Sequence, residues 1–598
     1  MHHRLFRCFK AKTAKMIAAG TVITCLFSSV GVGVAAPTQS AITVLPIDRA
    51  KFASGQTFDF LIEVKDADSE KIQVTVNGVA ADKYFGKTAS AKMDGPLATY
   101  RIDQVAFKKP GKVEISVKAT AANSFTTRTV KYEVVNNTAP KRAKNVILFV
   151  GDGMSLQARE MARILSKGIT EGKYNDLLAM EKMASTAIIT TSGYDSLVTD
   201  SANSASAYAT GHKAVVNAMG TYTNSTKDPF DDPNVENIVE LAKRSRGMAT
   251  GIVSTANITD ATPAAMVAHT RKRAEQNFIA ETMLDPRHRP DVILGGGSRH
   301  FLPMSTPGSK RTDNKNIIDE FKKLGYSFSG TKSELLATPL NTDKLLGLYQ
   351  LDNMNVYLDR EMLNNPKVLG GFNDQPTLMS MTQKAIDTLS KNPNGFFLMV
   401  EGASIDKQLH VLDWQRATYD TIELDKSVEI AKEFARKNQD TLIVVVADHA
   451  HGASITGTYH ELDGKTGREA VRIYADAGWP TFEDNNKDGF PDSPSPDVTL
   501  AVQYANHPDY KEDYKFKAEP TVPAIMSNGK AIANPQTSGE FYPGNIPTAD
   551  PSEVHSADDI ILNADGPGAD YFNGVMDNTE VFFGIVRALG LDGNRNAK

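Results

Sequence analysis

Five short runs of nearly unbroken apolar residues constrain this chain more than any other feature: Asn145 to Val150, Ala249 to Val253, Val292 to Leu294, Phe396 to Val400 and Thr441 to Val446. Strands that alternate apolar and polar residues can leave one face in water, whereas runs of Val, Ile, Leu and Phe must be buried on both faces. Helical stretches separate the runs, so the pattern predicts an α/β fold whose mostly parallel central sheet is covered by helices on both sides. Sheets of this kind bind ligands beyond the carboxyl ends of their strands. Asp152, Glu401 and Asp448 each follow a run by one or two residues, which brings three carboxylates to one edge.

Upstream the rhythm differs. Between about Ala41 and Val135 the apolar residues recur with period two, as in Phe58 to Val64, Ile72 to Val76, Val113 to Val117 and Thr129 to Val134, with Asn77-Gly78 and Pro110-Gly111 as turns. This predicts a small immunoglobulin-like β-sandwich. It carries no catalytic cluster and reads as a spacer or a binding module, with Asn136 to Pro140 as a linker.

The first 36 residues read as an export signal: Arg4, Arg7, Lys10, Lys12 and Lys15, an apolar stretch from Met16 to Val34, then Ala35 and Ala36 at a cleavage position. An uncleaved anchor is the rival reading, since Pro37 is an awkward neighbour for cleavage. The expected destination is the periplasm or the outside of the cell, with no membrane span left after cleavage. Cys8 and Cys25 both fall inside the signal, so the mature chain has no disulfide. The 598 residues exceed one ordinary core. The expected division is 1–36 signal, 37–137 β-domain and 138–598 catalytic domain, with a surface insertion over about 453–550. A net charge of −5 argues against a nucleic-acid partner.

Inside the insertion, Asp484, Asn486, Asp488 and Asp492 surround Gly489 in the manner of a calcium loop, although Ser495 stands where an EF-hand places its bidentate Glu; a solvated acidic turn fits equally well. Near the other end of the chain, Val581, Phe582, Ile585, Val586 and Leu589 predict a core-packing helix.

Asp406 and His410 are four apart, and a helix from Ser404 to Trp414 would put both on one face, a spacing that suits a zinc ion. Asp448 and His449 follow a buried run, His451 lies two residues on, and His555 is remote. Ser201, within Thr199 to Ala205, begins a helix of small residues whose N-terminus favours an anion. A serine hydroxyl needs a base or a metal before it becomes a nucleophile. Arg273, with Arg271 as its rival, supplies a planar guanidinium able to hold an anion with two bonds. Gly295, Gly296 and Gly297 lack the spacing of a nucleotide loop and predict a close turn.

These patches, in order from Val150-Gly151-Asp152-Gly153-Met154 through Thr259 to Pro263, Glu401 to His410, Ala447 to His451 and Glu553 to His555, resemble the alkaline phosphatase family. The resemblance implies one zinc held by Asp406, His410 and His555, a second held by Asp152, Asp448 and His449, and a magnesium held by Asp152, Thr262 and Glu401. It further implies Ser201 as nucleophile and Arg273 as phosphate clamp, with Asp260, Lys407 and His451 supporting the ligands. Imidazole with carboxylate suits zinc and an all-oxygen set suits magnesium, so the donor chemistry agrees. The implied activity is hydrolysis of small phosphate monoesters through a phosphoserine. Diester or sulfate-ester hydrolysis on similar metals stays open, as does an envelope- or polysaccharide-binding role for the sandwich. Family members are often homodimers.

Overall fold

The computed structural model describes residues 42–65, 67–121, 124–137, 142–364, 366–456, 466, 500, 502–505, 525–527, 530–532 and 552–596. The export signal with both cysteines, the proposed calcium loop and most of the linker lie outside the described residues.

The apolar runs become the middle of a ten-stranded sheet. Its order is Ser327–Ser329, Leu345–Leu348, Val292–Gly296, Ala249–Asn257, Phe396–Gly402, Asn145–Gly151, Thr441–Ala447, Ile560–Asp565, Ser185–Thr190 and Gly574–Asp577. Every neighbouring pair is parallel except the two made by Ile560–Asp565, which runs antiparallel to Thr441–Ala447 and to Ser185–Thr190. The mostly parallel α/β architecture is therefore as the sequence pattern predicts. All residues of Asn145–Gly151, Phe396–Gly402 and Thr441–Ala447 are buried. Leu156–Lys167, Leu378–Leu389 and Trp414–Lys437 pack together on one face; Ser201–Thr210, Ala261–Ala265 and Glu580–Leu589 cover the other. In the last of these helices Val581, Phe582, Ile585, Val586 and Leu589 are buried, so its apolar stripe is core. Gly296 ends a strand so close to its neighbour that an added Cβ would sit 2.3 Å from the Asp352 carbonyl oxygen, the close turn expected of the glycine triplet.

Residues 42–135 form two sheets. One is ordered Ile42–Leu45, Thr57–Lys65, Leu97–Ala106, Ser90–Asp94, and the other Lys51–Ala53, Ser124–Val135, Gly111–Ala121, Ile72–Val76, Val79–Ala80. Phe52, Phe60, Ile62, Val76 and Ile115 fill the space between them. The same core also takes in Tyr222 and Val235 from the α/β part.

That shared core continues as a backbone ladder. Asp59 N–H donates to Asn234 O (2.8 Å), Glu236 N–H to Thr57 O (2.9 Å), Val235 N–H to Gly220 O (2.9 Å), and Met219 and Thr270 exchange bonds of 2.8 and 3.0 Å. Gln56, fully buried, reaches further: its Nε2 donates to Thr210 O (2.8 Å) and Glu236 O (3.0 Å). The sandwich is thus packed against the rest, not strung beside it. Within the insertion, Ala453–Ile455 pairs antiparallel with Val502–Tyr504, and Ile525–Ser527 with Lys530–Ile532. Among the described residues no helix is long and apolar enough to cross a membrane.

Candidate active site

Register sets the site. Gly151 is paired with both Gly402 and Ala447, so Asp152 and Asp448 leave adjacent strands side by side. The chain turns at Gly153 with φ of 65°, and a Cβ there would meet the His451 ring at 2.6 Å, so both conformation and space require glycine. One Asp448 oxygen, Oδ1, accepts from Gly153 N–H and His449 N–H, both at 2.9 Å. The other, Oδ2, makes no hydrogen bond and lies 3.4 Å from His449 Nε2.

Ser201 opens the Ser201–Thr210 helix, with Asp200 as N-cap accepting from Asn203 N–H and Asn203 returning the contact to the Asp200 amide. Every residue of this helix is buried, and most of its side chains are small, which lets it pack closely beneath a polar site. Tyr208 Oη donates to Ala447 O (2.6 Å), tying the helix to the strand that delivers Asp448. Ser201 Oγ lies 3.2 Å from Asp152 Oδ1 and 3.2 Å from His449 Nε2.

Asp406 and His410 occupy the Ser404–His410 helix. That helix stops four residues short of the Trp414 limit anticipated from sequence, because Leu412 adopts a left-handed φ of 66° and Asp413 caps the next helix. The pair still meets: Asp406 Oδ1 is 3.3 Å from His410 Nε2, 3.3 Å from His555 Nε2 and 2.6 Å from His451 Nε2. Behind two of these rings stand backbone carbonyls. His410 Nδ1–H donates to Glu553 O (2.7 Å) and His555 Nδ1–H to Thr199 O (2.8 Å). Such bonds fix the tautomer and turn the Nε2 lone pair toward the site, as metal ligation requires. His555 stacks on His449 with ring centroids 3.6 Å apart, so the two groups Asp406/His410/His451/His555 and Asp152/Asp448/His449 abut.

Glu401 is buried at the end of its strand and accepts from Ser254 Oγ, which lies in register on the neighbouring strand. Thr262 sits on the Asp260-capped Ala261–Ala265 helix that packs on the Glu401 strand; its Oγ1 is buried without a hydrogen-bond partner. Arg273 reaches Asp200 Oδ2 (3.2 Å) and Asp260 Oδ1 (2.9 Å), and Lys407 Nζ takes the other Asp260 oxygen (3.0 Å). Arg271 is committed elsewhere: it forks onto Asp232 at 2.7 and 2.5 Å and bonds Asn224 and Thr226. Ser254 and the carbonyls of Thr199 and Glu553 were not singled out from sequence. A lone serine in the apolar Ala249–Asn257 strand is a faint signal for the first, and nothing local marks the carbonyls.

The charges are strongly interdependent. Burial and neighbouring Asp152 push Glu401 up to about 8, and burial with the same neighbour raises Asp448. Asp406 is held well below the usual range despite burial, by bonds from His451 and His555. Burial lowers His451 to about 4. Against burial, Lys407 and Arg273 keep Asp260 ionised. Four acidic side chains and four imidazoles gathered in a dry space call for cations. Asp448 Oδ2 and Thr262 Oγ1, buried without partners, are oxygen donors of the kind such ions take. The residues present fit zinc at the His-containing groups and magnesium at the all-oxygen set.

Comparison with known proteins places the chain among relatives of one family. The family profile described as alkaline phosphatase matches residues 143–591. Alkaline phosphatase H of Pseudomonas aeruginosa is 33% identical over 486 residues, covering 75% of this chain and 86% of that protein. Alkaline phosphatase of Escherichia coli K12 is 32% identical, with 75% and 87% covered. In three dimensions the alkaline phosphatase of the Antarctic bacterium TAB5 superposes with a TM-score of 0.52 at 23% identity, over 75% of this chain and 99% of that one.

Proposed function

The chain belongs to the alkaline phosphatase family, and on that premise we propose that it hydrolyses phosphate monoesters through a covalent intermediate on Ser201. The observation that carries this reading is Ser201 Oγ, 3.2 Å from Asp152 Oδ1 and from His449 Nε2, at a helix N-terminus and at the meeting of the two ligand groups.

Asp406, His410 and His555 would hold one zinc, Asp152, Asp448 and His449 a second, and Asp152, Thr262 and Glu401 a magnesium. Bound there, the ions would supply Lewis-acid charge that makes the serine hydroxyl and water more acidic and offsets charge on the leaving oxygen. His451 hydrogen-bonds the Asp406 oxygen that faces His410 and His555, which orients that carboxylate. Ser254 does the same for Glu401.

Arg273 exchanges its contacts to Asp200 and Asp260 for two phosphate oxygens, and Asp260 stays anchored through Lys407. The first amides of the Ser201 helix face the same anion. Ser201 Oγ gives its proton to water and forms the Oγ–P bond as the P–O bond to the alcohol breaks; the alcohol oxygen leaves with a proton from water. A water oxygen then attacks phosphorus, the Oγ–P bond breaks, and Ser201 recovers its proton as inorganic phosphate departs. The basic and apolar stretch over residues 1–36 supports export to the periplasm or beyond.

Acid quenching during turnover of a labelled monoester tests the reading. Wild type traps phosphoserine, and Ser201→Ala binds the same metals yet traps none; label on Ser201→Ala would overturn the assignment. Faster turnover of a diester or a sulfate with the same leaving group would replace the monoester as substrate class.

A further inference from the structure

Away from that edge, another set of metal-ligating side chains converges among the described residues. Glu240, His269 and His288 place one donor atom each within 4.8 Å of one another. Glu240 stands in the first turn of the Ile238–Arg246 helix, His269 four residues before Arg273, and His288 in the turn that precedes the Val292–Gly296 strand. Their side chains are 14%, 7% and 10% exposed.

His269 Nδ1–H donates to Gly220 O at 2.8 Å, which turns Nε2 toward Glu240 Oε2, 2.9 Å away. His288 Nδ1 is buried, makes no hydrogen bond and lies 3.4 Å from the second oxygen, Glu240 Oε1. His269 thus repeats the arrangement of His410 and His555, where a carbonyl holds the back of the ring and the front nitrogen faces a carboxylate. A proton on His269 satisfies its own contact with Glu240 and leaves His288 Nδ1 without a partner. A cation serves all three donors.

We propose that Glu240, His269 and His288 bind a divalent transition metal, zinc by the character of the donor set, at a site separate from the phosphate-hydrolysing centre. The ion joins three segments distant in sequence. One of them is held to Met219 by the bridge at Thr270.

Elemental analysis of full-length protein equilibrated with zinc tests this, comparing wild type, His288→Ala and Glu240→Gln. Expected is the loss of one metal per chain in either variant, with monoester hydrolysis retained and a melting temperature that no longer climbs over the zinc range in which wild type still responds. Should Glu240→Gln fail to fold, His288→Ala, at a turn, carries the comparison alone. Equal metal content and equal zinc response in wild type and His288→Ala would overturn the proposal and leave a His269–Glu240 imidazolium–carboxylate pair.

Discussion

Replacing Gln56 by Ala should destabilise the whole protein, not the β-sandwich alone. Gln56 lies between two sandwich strands, is 0% exposed, and makes three hydrogen bonds: to Thr210 O at 2.8 Å, to Glu236 O at 3.0 Å, and from Ala53 N–H at 3.1 Å. Thr210 ends the helix that Ser201 begins, and Glu236 precedes the Asn237 cap of the next. Alanine leaves two carbonyls and an amide unpaired in a dry junction. Each lost bond is worth about 1 kcal/mol net, and a buried orphan costs somewhat more. With the cavity added, the expected destabilisation is about 4 kcal/mol, a large part of the 5–15 kcal/mol typical of whole domains. Both tryptophans, Trp414 and Trp479, lie outside residues 42–135 in sequence, and Trp414 is buried in the α/β part, so its fluorescence through the urea-unfolding transition reports that part. That transition should move to lower urea in Gln56→Ala. A shift equivalent to less than about 1 kcal/mol would refute the coupling and make the sandwich an independent bead.

Other outcomes follow from the same geometry. Arg273→Ala should lower kcat/KM for a monoester roughly 100-fold, two charge-assisted bonds at about 1.5 kcal/mol each, and Arg273→Lys should restore little of it. Arg271→Ala should instead depress the melting temperature with a much smaller change in kcat/KM, because its fork is spent on Asp232. His212 packs against Phe52 of the sandwich and hydrogen-bonds Tyr222, with Nε2 buried and unpartnered; burial pushes it from 6.5 down to about 3. Since the folded value is the depressed one, its contribution is intact above about pH 6.5 and falls by about 1.4 kcal/mol per unit as the pH drops toward 3. His212→Asn should flatten the acid limb of a stability-against-pH curve measured in urea. Chelation should lower the melting temperature as well as activity, since Asp152, Asp406, Asp448 and Glu401 lose their counter-charge, and zinc with magnesium should restore both.

Much of the site was legible in sequence because strand ends and carboxylates lie within two residues of one another, and burial of a whole strand leaves a mark that any window shows. Asp152, Asp448 and Glu401 belong to this class. Arg273 and Arg271 differ only in what they meet across the fold, namely Asp260 and Asp200 for one and Asp232 for the other. The break at Leu412 depends on a single backbone rotation that no residue preference announces. Ile560–Asp565 was not recognised as a strand: its apolar Ile560, Ile561 and Leu562 give way to Asn563 and Asp565, and only pairing with two neighbours defines it. The sandwich, whose sequence reads as a spacer or a binding module, has the right alternation, but period two is silent on Tyr222 and Val235 entering its core.

The position of Ile560–Asp565 between Thr441–Ala447 and Ser185–Thr190 has a consequence for the order of assembly. Ser185–Thr190, which leads toward Ser201, joins the sheet only through a strand synthesised some 370 residues later. His555 arrives just ahead of that strand. A growing chain therefore acquires Asp152, Ser201, Glu401, Asp406, His410, Asp448 and His449, in that order, before it has the piece that closes the edge around them. Competence should therefore come late: a polypeptide interrupted between residues 449 and 555 would hold nearly every proposed reactive group and yet lack both His555 and the strand that closes the edge.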